Sequence, residues 1–195
     1  MKHLLVILLL LGSNPVFAQG NIEWSPEYKI EASDFKSSAT QIGGNLVAMS
    51  LACRMEFSYQ MSNYEFMFTK NFNSKVSTLL TPSASYFTAP DKETIPYLVN
   101  FARMSFDLTE LYSRKLRQKI FEEKGAFSNA NFFVPLYEEV LKQLAERHAL
   151  LSKSTDMGRN EAELSREHTL VLQEIEALPD FCKTCKPKKK KEKKS

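Results

Sequence analysis

The stretch YLVNFARMSFDLTELYSRKLRQ, from Tyr97 to Gln118, constrains this chain more than any other. Phe101, Met104, Leu108, Leu111, Tyr112, Leu116 and Ile120 recur at spacings of three and four, with 111 and 112 the one adjacent pair. Residues so spaced share one side of an α-helix, and a continuous apolar side has to be buried against a core. Pro96 suits the first turn, where its missing N–H has no intrahelical partner in any case. Gly125 is a natural stop. The spacing predicts a helix over 94–123. No His or Cys falls within it, so by itself it is a structural helix without metal ligands.

Two further helices follow. Leu136, Val140, Leu141, Leu144 and Leu151 mark the buried side of one over 135–151. Leu164, Leu172, Ile175 and Leu178 mark another over 161–178, ended by Pro179. Before the long helix the period changes to two. Met55, Phe57 and Tyr59 alternate with Arg54, Glu56, Ser58 and Gln60, as in a half-buried strand. Ser62-Asn63 interrupts, and Tyr64, Phe66 and Phe68 resume the alternation, which predicts an antiparallel hairpin. Val76 to Leu80 reads as a third strand or a short helix. Pro26 biases Ser25 away from helix, and Ile42-Gly43-Gly44-Asn45 is a turn signal. Strands first and helices afterwards give an α+β domain, with antiparallel strands packed on three C-terminal helices.

The first eighteen residues stand apart. Lys2 and His3 precede an apolar run from Leu4 to Leu11, and Val16-Phe17-Ala18 offers small residues for a signal peptidase. The run is shorter than the ~20 residues a bilayer requires, and no Cys near it would carry a lipid anchor. Cleavage between Ala18 and Gln19 leaves 177 of the 195 residues, enough for one domain with a real core over 19–180. Residues 181–195 read as a Cys-x-x-Cys followed by a disordered lysine-rich tail. Eight lysines between Lys183 and Lys194 face Glu192 alone, a net of +7. The chain's total is +3, and Lys2 leaves with the leader, so the body carries about −5. Lys188, Lys189, Lys190 and Lys191 are the centre of this block. They imply either a solvated terminus or attachment to an anionic surface. The block lacks aromatic residues to stack on bases, so nucleic acid is not favoured.

Export implies an oxidising compartment, where Cys53, Cys182 and Cys185 are free to form disulfides. Cys182 and Cys185 either pair with each other or one of them pairs with Cys53, and one thiol is left over. A redox Cys-x-x-C normally opens a helix after a strand; this one follows a helix. His148 and His168 are the only histidines after the leader. His168 lies four residues from both Leu164 and Leu172, beside the apolar face, as a partly buried structural histidine would. A Cys₂His₂ zinc site from Cys182, Cys185, His148 and His168 has the right cysteine spacing and no usual histidine spacing. Ser105 has no histidine or lysine that the sequence places beside it as an activating base. Asp107 and Glu110 share a side of the long helix as a carboxylate pair, but Glu110 also stands four residues before Arg114, the spacing of an ordinary ion pair.

Phe106-Asp107-Leu108-Thr109-Glu110-Leu111-Tyr112-Ser113-Arg114-Lys115-Leu116-Arg117 resembles a segment of a bacterial family, domain-of-unknown-function family 922, described as predicted secreted zinc-dependent proteases. Ile22-Glu23-Trp24-Ser25, Ile30, Asp34-Phe35 and Ser38-Ala39-Thr40-Gln41-Ile42 resemble its N-terminal part, although the family's second tryptophan falls on Ala32. The resemblance spans roughly 22–178 and implies a zincin-like half-domain. It also implies what is missing. The family's H-E-x-x-H falls on Phe101-Ala102-Arg103-Met104-Ser105, and its downstream histidine on Met157. In such a site two histidines four apart and a third ligand hold zinc, an open position holds water, and the glutamate takes the water's proton. Phe101, Ala102, Ser105 and Met157 can do none of this. The reading is a secreted or periplasmic pseudo-peptidase without catalytic residues, metal or cofactor, acting on an unknown protein or envelope partner. The alternatives are a hydrolase with a relocated or non-metal site and an envelope binder acting through the tail. The intact mass of exported protein is expected to fit a chain beginning at Gln19; a start elsewhere would overturn the leader assignment.

Overall fold

A computed structural model describes residues 20–125 and 128–187. The leader with its Ala18–Gln19 cleavage point, and Lys188, Lys189, Lys190 and Lys191 with the rest of the tail, lie outside the described residues. In chain order the elements are β1 (Ile22–Glu23), β2 (Gln41–Ile42), β3 (Ala48–Ser50), β4 (Cys53–Phe57), α1 (Asn63–Phe68), β5 (Val76–Leu80), β6 (Tyr86–Ala89), α2 (Ile95–Glu123), α3 (Phe133–Ser154) and α4 (Glu161–Glu176). The domain is α+β, with two small sheets in its N-terminal half and the long helices in its C-terminal half.

The first sheet has the order β1-β5-β4 and is antiparallel throughout, with Met55 opposite Thr78 and Phe57 opposite Val76. The alternation read in β4 holds: Met55 and Phe57 are buried, Arg54 and Glu56 exposed. The second sheet has the order β2-β6-β3, with β2 parallel and β3 antiparallel to β6.

The hairpin expected from Tyr64, Phe66 and Phe68 is not formed. Those residues lie in α1, and β4 pairs with β5 instead. The Ser62 hydroxyl accepts the Glu65 N–H at 3.0 Å and caps α1, a local bond that a strand would forfeit. Helical geometry also sorts the aromatics. Phe66 turns inward against Phe133, while Tyr64 and Phe68, four apart, stack on the outer side with centroids 4.6 Å apart.

Helix α2 is buried on more than its single stripe. Phe101, Met104, Leu108, Leu111, Leu116 and Ile120 pack with β4, β5, α3 and α4, while Leu98, Val99, Ala102 and Phe106 pack with β6 and the N-terminal segment. Between these two apolar regions lies a polar cluster. The Glu110 carboxylate accepts from Arg117 Nη1 (2.8 Å), Arg114 Nε (3.1 Å) and the Thr78 hydroxyl (2.8 Å), and Ser113 completes the chain by bonding Thr78 at 2.7 Å. The two guanidinium groups extend the network to backbone carbonyls. Arg117 donates to Val76 in β5 and to Phe181, and Arg114 donates to Ile175 and Leu178 at the end of α4.

Beyond α4 the chain turns back onto the body. Cys182 and Cys185 are joined as a disulfide, and the Cys185 carbonyl accepts from Asn71 and Asn73 at 3.1 Å. The Cys-x-x-Cys segment that precedes the lysine-rich tail is therefore tethered to the body; three hydrogen-bonding carbonyls, at Asp180, Phe181 and Cys185, hold it there.

Glu110→Ala would leave Arg114 and Arg117 buried without a counter-charge. The expected loss is about 3–5 kcal/mol of unfolding free energy, read from urea denaturation, because an uncompensated buried charge costs far more than a surface pair contributes.

Candidate functional site

Helix α2 presents two different surfaces on two of its sides. In its second and third turns Phe101 is 2% exposed, Ala102 0% and Ser105 1%. The 3₁₀ turn Asp156–Gly158 closes over this region, with Met157 in a left-handed conformation (φ 52°) and Gly158 at φ 97°. A Cβ on Gly158 would stand 2.4 Å from the Tyr97 carbonyl oxygen and 3.1 Å from Phe101 Cβ, so the turn rests directly on the α2 backbone. Met157 packs into the same apolar region as Ala102. Phe101, Ala102, Ser105 and Met157 are thus held by packing in the interior of this region.

Ser105 is paired here in a way the sequence did not disclose. Its hydroxyl donates to the Phe101 carbonyl at 2.9 Å, and His148 of α3 approaches with Nε2 at 3.2 Å. The His148 ring also packs 5.6 Å from the Phe101 ring. With the hydroxyl proton on Phe101 O, His148 serves as an Nε2–H donor and takes no proton from the serine. Burial lowers the His148 pKa below its ordinary value, which keeps the ring neutral. A buried, doubly bonded serine cannot reach a substrate, so this pair is structural.

On another side of α2, marked by Asn100, Arg103, Asp107 and Arg114, the helix lines a cleft of about 760 Å³ between the N-terminal segment and α4. Asp107 stands at its centre. One carboxylate oxygen accepts from Trp24 Nε1 at 2.7 Å, and the other lies 2.7 Å from His168 Nε2. His168 is accordingly satisfied and half-buried, but it faces the cleft through a carboxylate partner rather than the apolar core. Its Nδ1 remains for another partner. Arg114, whose charge is held by Glu110, lies over the Trp24 ring with its guanidinium carbon 5.6 Å from the centroid. Arg103, one turn before Asp107 on α2, also lines the cleft, anchored by donation to the Ile30 carbonyl and the Asn100 side chain. Tyr28 packs edge-on against Phe106, and its burial, then its bond to Asp34, hold its phenol well above the ordinary value.

The other sequence candidates are not assembled. Asp107 and Glu110 diverge, one into the cleft and the other into the buried arginine cluster. Cys182 and Cys185 bond to each other, and Cys53 is a free thiol 3.4 Å from the Thr109 hydroxyl, its pKa pushed up by burial. Among the described residues no three His, Cys, Asp or Glu side chains converge on a metal-sized site, and no helix is long and apolar enough to cross a membrane. The Trp24–Asp107–His168 constellation escaped sequence reading because its members are separated by 83 and 61 residues. The one available signal was an acidic residue placed next to the apolar stripe of α2. No family model, curated protein or solved structure matches the chain.

Chemically the cleft offers an indole and phenylalanine surface, a carboxylate–imidazole pair and a guanidinium. That set suits a ligand with an apolar body and polar groups at both ends.

His148 generates a pH prediction. Its folded pKa lies below its ordinary 6.5, so the unfolded chain takes up the proton first as pH falls. Stability from this residue is present above about pH 6.5 and declines on acidification through that value. In His148→Gln the dependence between pH 7 and pH 5 is expected to flatten, as measured by unfolding midpoints across that range.

Proposed function

We propose that this chain is a secreted or periplasmic, non-catalytic protease-like protein that acts by binding, with the cleft beside Asp107 as its ligand site. The observation that carries the reading is the contrast along α2. Phe101, Ala102 and Ser105, where the resembled family has its ligands and general base, are sealed in the core, while Asn100, Arg103 and Asp107, on another side of the same helix, line a cleft. The resemblance over 106–117 supplies the protease-like part of the proposal, and the leader-like N-terminus supplies the localisation. A peptide segment with an apolar side chain is the class of ligand that fits: the side chain against Trp24 and Phe106, a carboxylate or carbonyl toward Arg103, an amide N–H toward the Asp107–His168 pair.

The Asp107–His168 pair also favours a second reading, a hydrolase with a relocated, metal-independent site. There His168 would be the base and Asp107 the group that orients it.

Zinc content tests the loss of the metal site, and ligand response against turnover separates binding from hydrolysis. After dialysis of residues 19–195 against excess zinc, metal content is expected to be near zero per chain; close to one zinc per chain would overturn the pseudo-peptidase proposal. Trp24 is the only tryptophan and reports on the cleft directly. Its emission is expected to respond saturably to apolar peptides in the wild type and to lose that response in Asp107→Ala. Turnover of peptide or ester substrates, abolished in His168→Gln, would replace binding with the hydrolase reading.

A further inference from the structure

The cleft beside Asp107 contains a positive charge that the domain leaves unanswered. Arg54, Arg114, Arg117, Arg147, Arg159 and Arg166 each stand within 3.5 Å of a carboxylate oxygen. Arg103 is the one remaining arginine of the chain, and among the described residues no carboxylate pairs with it. It is half-buried, and its own hydrogen bonds go to neutral oxygens. Nε donates to the Ile30 carbonyl at 2.8 Å and Nη1 to the Asn100 side chain at 2.9 Å. Those bonds fix the guanidinium at the cleft, while Nη2 and the second Nη1 proton bond no other described residue. Lys29, next to Ile30 in sequence, lines the same cleft and is exposed. A guanidinium half removed from water and fixed by neutral acceptors suits an incoming anion, above all a carboxylate that can take two parallel N–H bonds.

One helical turn further on, Asp107 has the opposite requirement. An ionised carboxylate accepts at about four lone-pair positions, of which Trp24 Nε1 and His168 Nε2 occupy two. What remains accepts an N–H. Four residues along a helix are about 6 Å, so an anion site and an N–H site lie that far apart along α2. An extended peptide advances about 3.4 Å per residue. A chain whose terminal carboxylate lies on Arg103 therefore brings a backbone N–H to Asp107 within two residues.

We infer that the cleft recognises the free C-terminus of a peptide, an inference that rests on the cleft being a binding site for apolar peptides. The terminal carboxylate engages Arg103 with Lys29 beside it, a backbone N–H engages Asp107, and an apolar side chain packs on Phe106 and Trp24. An internal peptide segment offers Arg103 only a neutral carbonyl and leaves its charge unbalanced as water is displaced. A fatty acid supplies the anion but no N–H for Asp107. A phosphate group lacks the N–H too, and its second charge faces Asp107, Glu161 and Glu176 in the same cleft.

The test follows Trp24 emission while three probes are titrated into residues 19–195. They are N-acetylated alanyl-alanyl-phenylalanine as the free acid, the same peptide as its C-terminal amide, and octanoate. The acid is expected to bind about tenfold or more tightly than the amide. In Arg103→Gln its affinity is expected to fall to that of the amide, whose own affinity stays the same. Arg103→Lys keeps the charge without the fork and is expected to fall between. The acid–amide comparison is made on the wild-type chain, and thermal midpoints check that both variants fold. Equal binding of acid and amide would overturn the inference and leave the peptide-binding reading standing. A response to neither would overturn both. Octanoate binding as tightly as the acid would make a fatty acid the ligand, and a preference for the acid that survives Arg103→Gln would remove Arg103 as its source.

Discussion

The carboxylate of Glu110 is the interaction on which the rest of the structure depends. It sits inside the domain with two arginines, a threonine and a serine around it, and those partners come from α2 and β5. A buried charge is tolerated only when its hydrogen-bonding capacity is filled, and here the filling groups also reach outward. Arg117 ties Val76 of β5 and Phe181; Arg114 ties the last carbonyls of α4. One carboxylate thereby fixes how the first sheet, α2 and the C-terminal turn meet. Apolar packing could hold these elements together, but it would specify their register less sharply than paired directional bonds do.

That register has consequences in both directions along α2. Toward the N-terminus it presses Phe101, Ala102 and Ser105 under α3 and the Asp156–Gly158 turn, where only a glycine at 158 permits the approach to Tyr97. Toward the middle it holds Arg114 beneath Trp24, and Trp24 in turn bonds Asp107. The cleft is therefore not a gap between loosely packed layers. Its wall at Asp107 is linked through Trp24 to Arg114 of the buried cluster, which favours a preformed site in which a ligand has little ordering to impose. The same helix that buries Phe101, Ala102 and Ser105 on one side is the rigid support for the cleft on another.

The C-terminal segment shows how local chemistry and tertiary contact divide the work. Cys182-x-x-Cys185 closes on itself, which makes a compact turn, and Asn71 and Asn73 then decide where that turn lies. That turn thereby lies just beyond α1, held through the Cys185 carbonyl.

The sequence by itself determined the α+β class, the three long helices to within a few residues at most of their ends, and the core-facing side of β4. These follow from periods of 3.6 and 2, which are properties of neighbouring residues and need no knowledge of the fold. It also disclosed that positions 101, 102 and 105 bear no metal donor. It misjudged Tyr64–Phe68, because alternating aromatics fit a strand until the Ser62 cap and the inward anchor at Phe66 are weighed, and the anchor exists only against Phe133. Only the tertiary structure decided that His148 meets Ser105, that His168 meets Asp107, and that Glu110 turns away from Asp107 into a cluster with Arg117. The two histidine contacts span 43 and 61 residues, and the Glu110 cluster is completed by Thr78 of β5 across 32. Spacing along the chain carries no record of such a contact.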